Sequence, residues 1–355
     1  MSHSKFRGTK QKSRTILHWA MAVSVTFATV FGFANQLQAE LTGPDTTHRN
    51  VTIIVSKLML QEHLSKRPID DQISGRALTS YVEMLDPMKI YFQKSDIEEF
   101  KRFNSKIDDF VKRGDTRVSF TIFKRFLERV DQRSAEIDAL INTDHDFTAD
   151  EELIIDPDHF EYAASDAEAR ELWRKRIKYE LLFRKADDMT YDEAKEKVAR
   201  RYKSIAKRKH QIDSNELLEM FLTSVTSSFD PHTTYMSPDS HTNFEINMRL
   251  NLDGIGAALK PDDGYTVVTK IIPGGAADKA GELKPEDRIV SVGQGVEGDM
   301  VDVVDMKLSD VVKMIRGQAG TVVRLGVIPD GTTKTNVIKI TRARIELKDS
   351  EARGD

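Results

Sequence analysis

No cysteine occurs among the 355 residues. That excludes disulfides, thiolate nucleophiles, Cys-ligated zinc and iron–sulfur clusters. Ten prolines and 19 glycines are too few for a collagen-like or low-complexity chain. Neither sign of charge is in excess: 53 Lys plus Arg face 57 Asp plus Glu, a net charge of −4, so a basic, polyanion-binding protein is not indicated. Hydrophobic residues make up 39% and charged residues 31%, the balance of a folded chain with a polar surface. The length suggests two or three domains.

Long apolar runs are also missing, with one exception. Lys5, Arg7, Lys10, Lys12 and Arg14 are followed by Thr15 to Ala39 with no Asp, Glu, Lys or Arg. A basic start, an apolar stretch and small-residue exits at Gly32-Phe33-Ala34 or Leu37-Gln38-Ala39 have the form of a secretory signal over 1–39. The competing expectation is an uncleaved membrane anchor, since the stretch approaches the ~20 residues that span a bilayer. Either way the body of the chain is expected to be exported.

The body divides by period. Val51, Ile54, Val55 and Leu58 fall at helical spacing, as do Leu78, Tyr81, Val82 and Leu85, with Asp86-Pro87 ending the second segment. Phe100, Phe103, Ile107, Phe110 and Val111 form a third stripe stopped by Gly114, and Phe123 through Leu140 a fourth. Residues 142–165 read as irregular and acidic. Helical spacing returns at Leu172–Leu181 and Leu217–Val225. Aromatic stripes of this kind are bundle core rather than a ligand box, so 45–237 is expected to be an all-α domain. Basic residues between Arg174 and Lys209 alternate with Glu180, Asp192, Glu193 and Glu196; that describes a salt-bridged helix surface, not a nucleic-acid site.

From about residue 245 to 342 short strands alternate with turns. Pro261-Asp262-Asp263-Gly264 is a turn between Ile255–Lys260 and Tyr265–Ile272. Pro273-Gly274-Gly275 precedes a short Ala-rich helix closed by Gly281. Arg288–Val292, Thr321–Ile328 and Lys334–Ile340 read as strands, and Ser309 as the N-cap of a helix carrying Val311, Val312 and Ile315. The expected module is a partly open sheet with two helices. The fold class is thus multidomain, α followed by α+β.

Such a module leaves a groove between a strand and a helix, in which a peptide adds as an extra strand. Gly254-Ile255-Gly256-Ala257 stands at the head of that strand. Glycines there allow backbone N–H groups to cradle an anion such as a terminal carboxylate. Ala258, Leu259, Val311, Val312 and Ile315 are the expected groove residues, with Ile255, Val312 and Ile315 as walls for the last side chain.

The segments Gly254–Ala257, Pro273–Gly281 and Gly281–Ile289 resemble a PDZ domain of the form found in C-terminal processing peptidases. Asp230-Pro231-His232-Thr233-Thr234-Tyr235-Met236-Ser237-Pro238 is similar to the segment preceding that domain in tail-specific proteases, and Arg200-Arg201-Tyr202-Lys203 fits the same subfamily. The resemblance implies a periplasmic serine endopeptidase that engages nonpolar C-termini of exported proteins. It also implies a helical domain that encloses substrate or docks a lipoprotein adaptor, and a Ser–Lys dyad in an α/β domain after the PDZ domain. Residues 343–355 are expected to be the start of that domain, so the chain reads as an N-terminal portion.

No catalytic residue is assigned. A Ser–Lys mechanism needs a desolvated neutral Lys beside the Ser hydroxyl and oxyanion donors. No Gly is followed two positions later by Ser, so a Gly-x-Ser elbow is missing. Ser204 and Lys207 have Ser-x-x-Lys spacing but sit among Arg200, Arg201, Lys203, Arg208 and Lys209. Asp230, His232 and His241 lack any metal pattern, and a triad of Ser227, Asp230 and His232 would be crowded at a helix end. No cofactor or metal is expected. The competing function is a complete, non-enzymatic PDZ adaptor that presents C-terminal peptides to a partner.

Overall fold

A computed structural model describes residues 43–186 and 189–347; the expected signal or anchor at 1–39 lies outside the described residues. Among those described, no helix is long and apolar enough to cross a membrane.

The first domain is helical: α1 (Thr46–Glu62), α2 (Asp71–Leu85), α3 (Lys94–Phe100), α4 (Ile107–Arg113), α5 (Arg117–Ile141), α6 (Asp166–Ala186), α7 (Tyr191–His210) and α8 (Ser214–Ser227). The starts are written in short polar side chains. Asp45, Asp70, Thr190 and Asp213 each accept from N–H groups of the first turn, satisfying donors that have no intrahelical partner. The aromatic stripes face inward, and Tyr81, Phe92, Phe123, Phe126, Trp173 and Phe221 share one core. The third stripe is not one helix. It breaks after Phe100 into a 3-10 turn, Lys101–Phe103, before α4 restarts. Gly114 ends α4 at φ +71°, where an added Cβ would lie 2.6 Å from the Arg49 carbonyl.

Two buried aspartates fix this bundle. Asp86, after α2, accepts from the N–H groups of Ile90, Tyr91 and Phe92 at 2.9–3.0 Å, which closes the loop that leads to α3. Asp96 in α3 accepts from Arg129 at 2.8 Å, from Arg125 at 2.7 Å and from the Gln93 N–H at 2.9 Å. Burial pushes the Asp96 carboxyl up, but the Arg129, Gln93 and Arg125 hydrogen bonds outweigh it and hold the group below its ordinary value. Its stabilisation is therefore fully present above the unfolded pKa of about 3.9 and is lost as pH falls through the lower folded value. Denaturant melts of the helical domain from pH 6 to pH 2.5 should show stability falling through the acid range, and Asp96→Asn should flatten that limb. An unchanged acid limb in the variant contradicts the assignment.

The second domain is reached through a helix that the apolar periodicity did not announce, α9 (Pro238–Arg249). Ser237 caps it and Pro238 starts it, yet it has no buried residue and so no apolar stripe to read. Next come β1 (Asn251–Gly254), β2 (Ala257–Asp262), β3 (Tyr265–Ile271), α10 (Ala276–Ala280), β4 (Arg288–Gln294) and β5 (Met300–Asp302). The domain ends with α11 (Leu308–Ile315), β6 (Val322–Ile328), β7 (Asn336–Thr341) and β8 (Ala343–Glu346). The main sheet runs β2-β3-β4-β6-β7, with β5 on β4, all antiparallel. The turn between β2 and β3 is two residues, Asp263 and Gly264, at φ +47° and +82°, the pattern of a type I′ hairpin. Pro261 falls inside β2; a residue without an N–H is tolerated there because β2 is an edge strand.

One expectation is corrected. Ser309 does not cap α11; Lys307 occupies the N-cap with no side-chain cap bond, and its Nζ instead pairs with Glu216 at 2.6 Å and Asp213 at 3.1 Å on α8 and its cap. Residues 343–346, expected to belong to the start of the next domain, are a strand. They form β8, which pairs with β1 from Asn251↔Glu346 to Gly254↔Ala343, and Ile345 packs into the core of the second domain. Arg342, between β7 and β8, is buried, and its backbone N–H donates to the Thr321 carbonyl at 2.8 Å.

Candidate functional site

A groove of about 320 Å3 runs between β2 and α11, with walls from Leu252, Ile255, Leu259, Ile272, Val312 and Ile315. Its head is the Gly254–Ala257 segment. Gly254 closes β1, Ile255 and Gly256 form the link, and Ala257 begins β2. The Ile255 carbonyl accepts from Ala277 N–H at 2.7 Å, and the Gly256 carbonyl from Ile272 N–H at 2.9 Å. Both carbonyls are thus tied into the domain. Neither the Ile255 nor the Gly256 N–H donates to a group among the described residues, although both residues are buried. Buried backbone donors are almost always paired, so two adjacent donors left open at the head of a groove form an anion-sized nest.

Gly256 is required twice over. Its φ is +76°, and an added Cβ would lie 3.2 Å from both Gly275 Cα and Ile345 Cδ1. Gly275, in the Pro273-Gly274-Gly275 turn, backs the link directly. A Cβ there would come within 2.9 Å of the Ile272 carbonyl.

The outer edge of β2 is open, since among the described residues its one sheet neighbour is β3. Of the expected groove residues, the structure brings Ile255, Gly256, Ala257, Ala258, Leu259, Val312 and Ile315 to one groove. Gly254 sits behind it, at the end of β1. Val311 is fully buried in the domain core and does not line the groove, because adjacent helix positions face about 100° apart.

Arg316 was not anticipated. It stands just past α11, lines the groove beside Ile315, and donates to Asn243 Oδ1 on α9 at 2.9 Å. Desolvation lowers its pKa, and no carboxylate among the described residues pairs with it. Arg342 lies behind the same helix end. It is 4% exposed and donates to the carbonyls of Ile315, Met314 and Val322 and to Thr321 Oγ1 and Gln294 Oε1 at 2.7–3.4 Å. A cation at a helix C-terminus meets the negative end of the helix dipole, which fixes the wall that carries Val312 and Ile315.

The residues weighed for chemistry do not converge. Lys207 Nζ pairs with Asp305, not with Ser204. Asp230 accepts from the backbone of His232 and Thr233 at 2.8 Å and pairs with His63 Nε2 at 2.8 Å. Ser227 donates to the Ser224 carbonyl at 3.5 Å. The Asp230–Thr233 segment is therefore a brace for the end of α1, and His63, remote in sequence, is the partner that spacing could not supply. Among the described residues no cluster of His, Asp and Glu could hold a metal.

The family model of the tail specific protease N-terminal domain matches residues 54–239, and that of the PDZ domain matches residues 243–328. The tail-specific protease of Haemophilus influenzae is 30% identical over 296 residues, 83% of this chain and 42% of that protein. The carboxy-terminal processing protease CtpB of Bacillus subtilis is 30% identical over 164 residues, 45% of this chain and 32% of that protein. The chain therefore spans less than half the length of these relatives. A crystal structure of the PDZ domain of a carboxy-terminal protease from Vibrio cholerae, in complex with peptide, is 43% identical over 28% of this chain and all of that chain, with a TM-score of 0.27.

Proposed function

Because this chain belongs to the tail-specific proteases of the C-terminal processing family, we propose that its second domain captures the free C-terminal tails of other polypeptides for proteolysis. The observation that carries this reading is the pair of open Ile255 and Gly256 amides at the head of an apolar groove with an unpaired strand edge. The tail adds to β2 as an antiparallel strand, which supplies main-chain hydrogen bonds without a sequence requirement. Its carboxylate sits on the two amides, and its last side chain, apolar, fills the space between Ile255, Val312 and Ile315. Arg316, desolvated and without a carboxylate partner among the described residues, adds charge to the same end.

The substrates in this reading are exported proteins in the periplasm, and a lipoprotein adaptor or a membrane-held N-terminus would bring them close. Nothing in the groove calls for nucleic acid or a cofactor. Residues 43–347 bind tails without cutting them, since Lys207 pairs with Asp305 rather than Ser204 and no hydroxyl or amine side chain among the described residues lines the groove. The competing reading, a non-enzymatic adaptor, uses the same groove and differs only in the fate of the captured tail.

Titration with an apolar-ended peptide and its C-terminally amidated twin tests the proposal. The free acid should bind about 100-fold more tightly, the worth of two charge-assisted hydrogen bonds. Arg316→Gln should weaken the acid about tenfold and leave the amide unchanged. Equal affinity for acid and amide would contradict carboxylate capture.

A further inference from the structure

β2 and α11 flank the groove in opposite directions, and both continue past it to a second cavity. The groove at the Gly256 end is walled by the start of β2 and the end of α11. At the other end of the same two elements, Pro261–Gly264 and Lys307–Ser309 line a cleft of about 300 Å3 whose far wall belongs to the helical domain, from Ser204 on α7 to Glu216 on α8. The two domains are fastened on either side of this cleft. Lys307 pairs with Asp213 and Glu216, Lys207 pairs with Asp305, and Gln211 Nε2 donates to the Asp305 carbonyl at 3.0 Å. The hairpin turn is held by Asp305 N–H to the Gly264 carbonyl at 2.7 Å.

Resting on the tail-capture reading, we propose that this cleft is a second recognition site for the same polypeptide. It would receive an apolar side chain about four to six residues before the terminal carboxylate. A tail antiparallel to β2, with its carboxylate at Gly256, runs toward Pro261. At about 3.3 Å per residue, the five residues from Gly256 to Pro261 take it about 17 Å, to the mouth of the cleft. Pro261 has no N–H, so it offers an added strand no donor at that point, and recognition passes from backbone to side chain. The surface available there is apolar: Ile212 from the helical domain, Tyr265, Met306 and Leu308 from the second, all half-buried. Lys207 and Lys307 already hold carboxylates, and the lining sets Glu216, Asp262, Asp263 and Asp305 against Lys207, Arg208 and Lys307, so the cleft offers an acidic group no excess of positive charge. The helical domain thereby reads the tail upstream of its last residues.

The test compares peptides of four and ten residues that share one apolar C-terminal tetrapeptide, the longer one carrying Leu five residues before its end. The protein is the intact chain. The longer peptide should bind about tenfold more tightly, a part of the gain from burying one Leu side chain. Replacing that Leu by Asp should abolish the gain. Ile212→Gln should abolish it too while leaving the four-residue peptide unchanged, which also shows that the variant is folded. Equal affinity for the two lengths overturns the second site and leaves carboxylate capture standing. A length advantage that survives Ile212→Gln overturns the part assigned to the helical domain. If neither peptide binds, the tail-capture reading and this inference fail together.

Discussion

Gly256→Ala should weaken binding of an apolar-ended peptide by at least about 100-fold. The residue holds φ +76°, a conformation that costs a non-glycine residue about 1–2 kcal/mol, and its Cβ would press on Gly275 Cα and Ile345 Cδ1 at 3.2 Å. Gly275 backbone cannot yield easily, because its own N–H is bonded to the Ile272 carbonyl at 3.0 Å. The link would relieve the contact by rotating, and rotation swings the Ile255 and Gly256 amides out of the groove. Losing two hydrogen bonds to a charged acceptor accounts for about 3 kcal/mol, which is about two decades in Kd. Gly274→Ala is the matched control. It has the same φ of +76° but meets nothing within 4 Å, so it should cost stability without costing affinity. If both variants lose affinity equally, backbone strain alone explains the result and the nest is not the binding element.

Arg342→Met should destabilise the second domain by about 2–4 kcal/mol in a urea melt, among the largest effects of any single change there. The guanidinium is buried, and among the described residues it has no carboxylate partner; its acceptors are three carbonyls, a hydroxyl and an amide oxygen. Removing it leaves the buried Ile315 carbonyl and the half-buried Met314 and Val322 carbonyls without this donor, at roughly 1–3 kcal/mol for each one that water cannot reach. The carbonyls of Met314 and Ile315 end α11, so the helix end should loosen and carry Val312 and Ile315 with it. Peptide affinity should therefore fall along with stability. Lys in place of Arg should not restore either, because one ammonium cannot span five acceptors as a planar fork does. A variant of unchanged stability would show that water or a neighbour replaces the guanidinium.

The helical domain was legible in its spacing where a stripe faces the core, as it does around Trp173 and Phe221; in α1 the buried face is His48, Thr52, Ser56 and Met59, and Ile54 and Leu58 of the expected stripe are exposed. The breaks were less legible. Phe100 to Val111 keeps an apolar rhythm across a 3-10 turn, since a change from α to 3-10 rotates the chain without exposing the next phenylalanine. Helix α9 carries capping chemistry in Ser237 and Pro238 but no stripe, and periodicity is blind to a helix that buries nothing. In the second domain the hairpin, the glycine turn and the head of the groove could be read locally, because positive φ and tight turns select particular residues. The pairing of β1 with β8 could not, for its partners lie at opposite ends of the domain. Val311 and Val312 could not be told apart by type, and only the direction of the helix decides which meets the core. Arg316 gains its meaning from Asn243, 73 residues earlier, and Lys307 from Glu216 in the helical domain, contacts that no local pattern encodes.

Backbone amide resonances of the isotopically labelled protein report the central geometry most directly. On saturation with an apolar-ended peptide acid, the Ile255 and Gly256 N–H signals should move strongly downfield and their hydrogen exchange should slow, while the amidated peptide moves neither. If the two signals stay in place as the peptide acid binds, these donors do not hold the tail, and the function assigned to the groove is contradicted.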